Sequence, residues 1–177
     1  TTYNHEGFIS DALESFLMQE TNFPFEICLG EDESSDKTRE ICLQYAEKYP
    51  NIIKTFLRKR EDVIYINDLP TGRFNLIETL KECQGKYIAL CEGDDYWLDQ
   101  YKLQKQVDFL EKNTNYKMSY HRVSIDIEGR LVSDAKDITE IRYNKIENKN
   151  SLDVYQLLKY GNFIHTASVV FKKELVS

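Results

Sequence analysis

Three carboxylates crowd one short run of the chain, Glu92-Gly93-Asp94-Asp95. Adjacent carboxylates at the end of an apolar stretch repel one another, and a divalent cation relieves the repulsion. Mg2+ and Mn2+ prefer oxygen ligands and are commonly held by one or two carboxylates together with substrate phosphates. The same run also reads as an acidic loop capping the helix that follows. A second polar cluster, Glu31-Asp32-Glu33-Ser34-Ser35-Asp36, offers Ser35 or Asp36 as a helix cap and a carboxylate that can accept from the N–H of a nucleobase. Tyr3 offers a ring on which a planar group can stack. Tyr96 and Trp97, directly after the acidic pair, read equally as an aromatic wall or as packing.

Missing motifs narrow the chemistry. There is no G-x-G-x-x-G and no Walker A sequence, so no glycine loop cradles phosphates, and there is no G-x-S-x-G elbow. His5, His121 and His165 are isolated, and His165 reads as a packed or hydrogen-bonding residue. A chain of this kind can still hold an anionic diphosphate through a bridging metal.

The elements that must position these residues follow from periodicity. Apolar residues Phe8, Ile9, Ala12, Leu13, Phe16 and Leu17 predict a helix over 6–19 with one buried face. Residues 25–29 form a short apolar run, a strand, which delivers the 31–36 cluster at its end. A helix follows, with Thr38, Ile41, Cys42, Tyr45, Ala46 and Tyr49 inward, and Pro50 ends it. A strand over 52–57 leads to the mixed-sign run Arg58-Lys59-Arg60-Glu61-Asp62, read as a solvated loop. A helix from Pro70 to Cys83, with Gly85 after its end, precedes a buried strand over 86–91 that runs into Glu92. The next helix covers 100–112, with Leu103, Val107 and Leu110 on one face. The pattern then changes to alternation over 116–127, a turn at Glu128-Gly129 and a return over 130–133, which predicts an antiparallel hairpin. Residues 137–150 read as an irregular excursion, 152–160 as a short helix and 167–171 as a final strand.

Alternating strands and helices favour a parallel, helix-covered sheet whose ligands bind beyond the carboxyl ends of the strands. Both acidic clusters lie at such ends, and Thr1-Thr2-Tyr3-Asn4 would join them if it followed a strand. Composition agrees. The chain has 177 residues, 41% hydrophobic, which suits one domain with a real core. Twenty-three basic against thirty acidic residues leave a net charge of −7, which disfavours nucleic-acid backbones as partners. No stretch is apolar enough to span a bilayer and no start resembles a signal peptide. Cys28, Cys42, Cys83 and Cys91 form no C-x-x-C pair and read as buried, reduced thiols.

In order, Thr1-Thr2-Tyr3-Asn4, then Glu31-Asp32-Glu33-Ser34-Ser35-Asp36-Lys37-Thr38, then Glu92-Gly93-Asp94-Asp95-Tyr96-Trp97 resemble the motifs of a family 2 glycosyltransferase. The family commonly shows T-Y-N, D-D-x-S-x-D-x-T and a D-x-D-D type motif, and 85–111 resembles its bacterial surface-polysaccharide subgroup. The resemblance implies a GT-A (Rossmann-like) α/β fold, with a mixed, mainly parallel sheet flanked by helices and an antiparallel hairpin in the second half. It implies a single nucleotide-sugar-binding domain over 1–177, cut short at both ends, with a donor-binding half (1–113) and an acceptor-side half (114–177). Thr1 and Tyr3 match positions that hold the base, Asp32 the carboxylate that accepts from uracil, Asp94 the position facing the ribose, and Asp95 with Glu92 the metal-binding places. Implied further are Mn2+ or Mg2+, a UDP-sugar donor, a saccharide or lipid-linked acceptor, and inverting transfer in the cytosol, with room for contact at the inner face of the membrane.

Three departures stand out. No apolar strand precedes T-Y-N, Glu31 and Glu92 replace aspartates, and the Arg-Asn pair before the third helix has only Arg73 and Asn75 as nearest counterparts. The catalytic base is expected beyond Ser177, since nothing selects among Asp126, Asp134 and Asp137. Two other readings fit the acidic pair alone: a Mg2+-dependent nucleotidyl- or phosphoryl-transfer enzyme, and a non-catalytic nucleotide-binding domain.

Overall fold

A computed structural model describes residues 1–127, 129–133 and 164–176. The expected excursion over 137–150, the helix over 152–160, and Asp134 and Asp137 lie outside the described residues.

The first half is built on a parallel βαβ unit. Strand β1 (Ile27–Glu31) pairs with β2 (Ile53–Leu57) from Ile27↔Ile53 to Glu31↔Leu57, and helix α2 (Thr38–Lys48) makes the crossover between them. Helix α1 (Ile9–Leu17) lays Ile9, Ala12 and Leu13 against this unit, and Ile9, Leu13, Ile27, Leu29, Cys42 and Ile53 form one core. α1 is shorter than its apolar pattern predicts. Phe8 sits at its N-cap and is exposed, so the periodic signal overran the helix there. β1 runs two residues further than predicted, which makes Glu31 a strand residue.

The opposite edge of β1 is used by the chain start. Residue i of a strand points its N–H and C=O the same way, so the odd residues of β1 serve β2 and the even ones face the other side. There Thr2 donates its N–H to the Gly30 carbonyl (2.9 Å) and accepts from the Asp32 N–H (3.1 Å), a single parallel bridge to Glu31.

Helix α3 (Arg73–Glu82) packs on β1 with a polar face. Asn75 Nδ2 donates to the Gly30 carbonyl (3.0 Å), and Thr79 Oγ1 bonds Asn75 Oδ1 (3.1 Å), both buried. A Cβ at position 30 would lie 2.1 Å from Asn75 Oδ1, so the close approach requires glycine. Ahead of α3 stands a hairpin, β3 (Ile64–Ile66) and β4 (Leu69–Thr71), which the helix predicted from Pro70 hid. Its turn, Asn67 at φ 50° and Asp68 at φ 63°, has the two left-handed residues of a two-residue hairpin loop, and these residue types tolerate that conformation.

The second half is antiparallel. β5 (Tyr87–Ala89), β6 (Met118–Ser119) and the late β9 (Val170–Lys172) order as β5–β9–β6. The last strand is thus central, with one 3-10 turn (Thr166–Ser168) in front of it. Helix α4 (Lys102–Lys112) covers this sheet through Leu103 and Leu110, with Trp97 and Val170 in the same cluster. The predicted hairpin is present as β7 (Ser124–Ile127) and β8 (Arg130–Ser133). An apolar cavity of about 520 Å³ lies between the two halves, lined by Ile27, Leu80, Tyr87, Val107 and Val170 among others. All four cysteines are free, but only Cys42 is fully buried; the other three are half-buried. No helix among the described residues is long and apolar enough to cross a membrane.

Candidate functional site

The chain start fastens the two acidic clusters to one another. Thr2 is bound to the end of β1, and the Thr1 carbonyl accepts the Gly93 N–H at 3.0 Å. Position 93 must be glycine, because a Cβ there would lie 2.4 Å from Thr2 Oγ1 and 2.9 Å from His5 Nδ1. One short segment therefore touches Asp32 on one side and the 92–95 loop on the other.

In the first cluster every carboxylate has a protein partner. Glu31 is fully buried; it accepts from Arg39 Nε at 2.5 Å and from the Ser34 N–H at 2.7 Å. Glu33, in the left-handed region at φ 57°, accepts the Arg60 N–H at 2.7 Å. Asp36, not Ser35, satisfies the start of α2, taking the Thr38 N–H at 2.9 Å and the Glu6 N–H at 3.1 Å. Asn4 bonds Ser34 and Ser35, and the His5 N–H donates to Thr38 Oγ1 at 2.7 Å. Asp32, its side chain 4% exposed, accepts from Arg60 Nη1 at 2.8 Å, while its Oδ1 makes no hydrogen bond. Burial raises the Asp32 pKa, and the Arg60 charge partly offsets this. The Arg60 guanidinium also lies over the Tyr3 ring, 4.1 Å from its centroid.

The second cluster lacks such partners. One oxygen from each of Glu92, Asp94 and Asp95 falls within 4.8 Å of the others. Among the described residues no lysine or arginine forms a salt bridge with any of them, and His5 Nε2 stands 3.8 Å from Asp94 Oδ2. Partial burial and then the Asp94 charge push the pKa values of Glu92 and Asp95 above the usual carboxylate range. His165 and His5 lie near enough to Asp95 to favour its ionised form. A divalent cation fits this donor set: three hard oxygens converge, and among the described residues no lysine or arginine is paired with them.

Of the residues singled out in the sequence, the structure gathers Thr1, Tyr3, Asp32, Glu92, Asp94 and Asp95. Arg73 stands exposed at the start of α3 with no hydrogen bond or ion pair to a described residue, and its neighbour Asn75 is a packing residue. Trp97 is packing: it is buried, donates to the Ala167 carbonyl at 2.9 Å and meets the Phe16 ring at 4.7 Å. Tyr96 donates to Asp126 Oδ2 at 2.6 Å, which ties the β7–β8 hairpin to the acidic loop. Sequence reading missed Arg60 and Arg39. Arg60 lies in a run that reads locally as a solvated loop; its partners stand 28 and 57 residues away, so no local pattern announces it.

The glycosyl transferase family 2 model matches residues 1–173. An uncharacterized protein of Mycobacterium tuberculosis (strain H37Rv) is 35% identical over 173 residues, covering 98% of this chain and 45% of its own length. Among solved structures, Staphylococcus aureus TarS in complex with UDP-GlcNAc superposes with TM-score 0.62 at 21% identity, covering 99% of this chain and 44% of TarS. The mannosyltransferase PcManGT of Pyrobaculum calidifontis, in complex with GDP-Man and Mn2+, gives 0.64 at 15% identity, covering 98% and 43%. These neighbours share the GT-A fold expected above. The chain spans about half the length of the relatives it matches. With both acidic clusters joined at the ends of β1 and β5, and the match running through both halves, the chain belongs to glycosyl transferase family 2.

Proposed function

We propose that this chain is the donor-binding part of a glycosyltransferase that moves a sugar from a nucleoside diphosphate sugar, with uracil favoured, to a hydroxyl of a saccharide or lipid-linked acceptor. The observation that carries the reading is the convergence of Glu92, Asp94 and Asp95 within 4.8 Å, with no lysine or arginine partner among the described residues, beside the Tyr3–Asp32 pair. The repulsion among these carboxylates is met by Mn2+ or Mg2+, with Asp95 and Glu92 as its protein ligands.

Each residue then has a task. Tyr3 stacks on the base and Asp32 accepts its N–H. Asp94 faces the ribose, while the Thr1–Gly93 bond keeps the acidic loop beside the base site. When bound, the cation supplies Lewis-acid stabilisation of the departing diphosphate. In-line attack by the acceptor hydroxyl inverts the anomeric carbon, and a carboxylate takes its proton. Asp126 is engaged with Tyr96, and no described residue is assigned as that base. A UDP donor is favoured by the types of Tyr3 and Asp32 and by the likeness to TarS. The likeness to a GDP-Man-binding enzyme makes guanine the second base to test. We place the reaction on the cytosolic side, where nucleotide sugars are made.

The test is calorimetric titration of UDP, GDP and CMP with and without Mn2+. Selective binding of UDP that requires Mn2+ and disappears in Asp95→Ala supports the reading. Metal-independent binding, or equal binding of all three nucleotides, overturns it.

A further inference from the structure

Arg60 does what a nucleobase would be asked to do. Its flat guanidinium lies on the Tyr3 ring at 4.1 Å, and its Nη1 donates to Asp32 Oδ2 at 2.8 Å. A face for Tyr3 and an N–H for Asp32 are the two features the donor reading requires of a base. We propose that Arg60 fills the base seat when no donor is present, and that a nucleotide binds by displacing it. Arg60 is then a specificity-determining competitor, and this inference rests on the donor reading above.

The local structure allows the exchange. The Arg60 backbone is held through its N–H to Glu33 Oε2 (2.7 Å) in a 3-10 turn, Arg60–Asp62. Only the side chain must move, and at 28% exposure it has an open way to solvent. Its departure has a cost. Asp32 is nearly buried and its Oδ1 already lacks a hydrogen bond, so losing Arg60 leaves a desolvated carboxylate with no donor. An incoming ring must therefore both stack and present an N–H. Uracil presents one at N3 and guanine one at N1. Cytosine presents a lone pair at N3, which would face the carboxylate. The resident arginine thus sets a threshold that a stacking ring alone does not cross.

The test is calorimetry with Mn2+ on the wild-type chain and on Arg60→Ala, Arg60→Met and Arg60→Lys, with UDP and with pyrophosphate, a ligand that has no base. Removing a cation–π contact and a charge-assisted hydrogen bond from the competitor raises UDP affinity about tenfold in Arg60→Ala and Arg60→Met. Arg60→Lys, which keeps a charge but loses the planar face, falls between. Pyrophosphate binds wild type and variants alike. UDP binding to Arg60→Met but not to wild type also supports displacement. Unchanged or weaker UDP binding in folded variants, or an equal change for pyrophosphate, overturns it and leaves the donor reading intact. UDP binding by none of the four proteins overturns the donor reading and the displacement with it.

Discussion

The two acidic clusters have similar composition and opposite electrostatics. Residues 31–36 carry four carboxylates, and the fold answers each: Arg39 for Glu31, Arg60 for Asp32, the Arg60 N–H for Glu33, and two backbone N–H groups for Asp36. Residues 92–95 carry three, and the described residues pair no lysine or arginine with them; His5 stands 3.8 Å from Asp94 and His165 lies near Asp95. A buried carboxylate with a partner holds structure together. Carboxylates that converge without one hold charge in reserve for a ligand. The sequence signal for the two was nearly the same; the partners, 8 and 28 residues away in the first case, made the difference.

The comparison can be broken most sharply at Asp95. Asp95→Ala is expected to weaken Mn2+-dependent nucleotide binding on the order of a hundredfold or more while leaving the melting temperature unchanged or higher, since one member of a repelling set is gone. Glu31→Ala should do the reverse. It strands Arg39 against a buried site and should cost about 3 kcal/mol of stability, read by urea unfolding. If Asp95→Ala unfolded the chain and Glu31→Ala did not, the division between a structural and a ligand-binding cluster would fail.

pH sharpens the contrast. Burial raises the Glu92 and Asp95 pKa values, so the folded state takes up protons more readily than the unfolded chain there. Their contribution without metal therefore rises as pH falls through those values and is least favourable at high pH. Protonation also removes ligands. The gain in melting temperature from added Mn2+ should shrink as pH falls from neutrality toward the ordinary carboxylate range. A gain that stays constant over that range would argue against carboxylate ligation.

Smaller effects probe the first cluster. Asp32→Asn should lower the preference for UDP over CMP roughly tenfold by losing one charge-assisted hydrogen bond, with little change in pyrophosphate binding. Asp36→Ala should cost about 1 kcal/mol through the lost hydrogen bonds from the Thr38 and Glu6 N–H groups, and Ser35→Ala less than about 0.5 kcal/mol. Equal losses at the two positions would contradict the assignment of Asp36 as the acceptor that serves the start of α2.

Much of this protein was legible from the chain alone. Helices α1, α2 and α4 and strands β1, β2 and β5 followed from periodicity and breakers, because near neighbours decide them. The β3–β4 hairpin was missed because Pro70 resembled a helix start, although Asn67-Asp68 carried the turn signal. α3 was read from Pro70 at its start and Gly85 after its end, but its buried face is Asn75 and Thr79, which no apolar pattern reveals. The acidic residues, Tyr3 and Asp32 were singled out by type and order. What tertiary structure alone decided was their balance: that Glu31 is silenced by Arg39, that Arg60 leaves its charged run to sit on Tyr3, that Gly93 admits Thr2, and that 92–95 gains no lysine or arginine partner among the described residues. Local structure depends on residues a few positions apart, and sequence displays those directly. Charge balance depends on which distant side chains the packed sheets bring within a few ångströms, and only the fold supplies that distance.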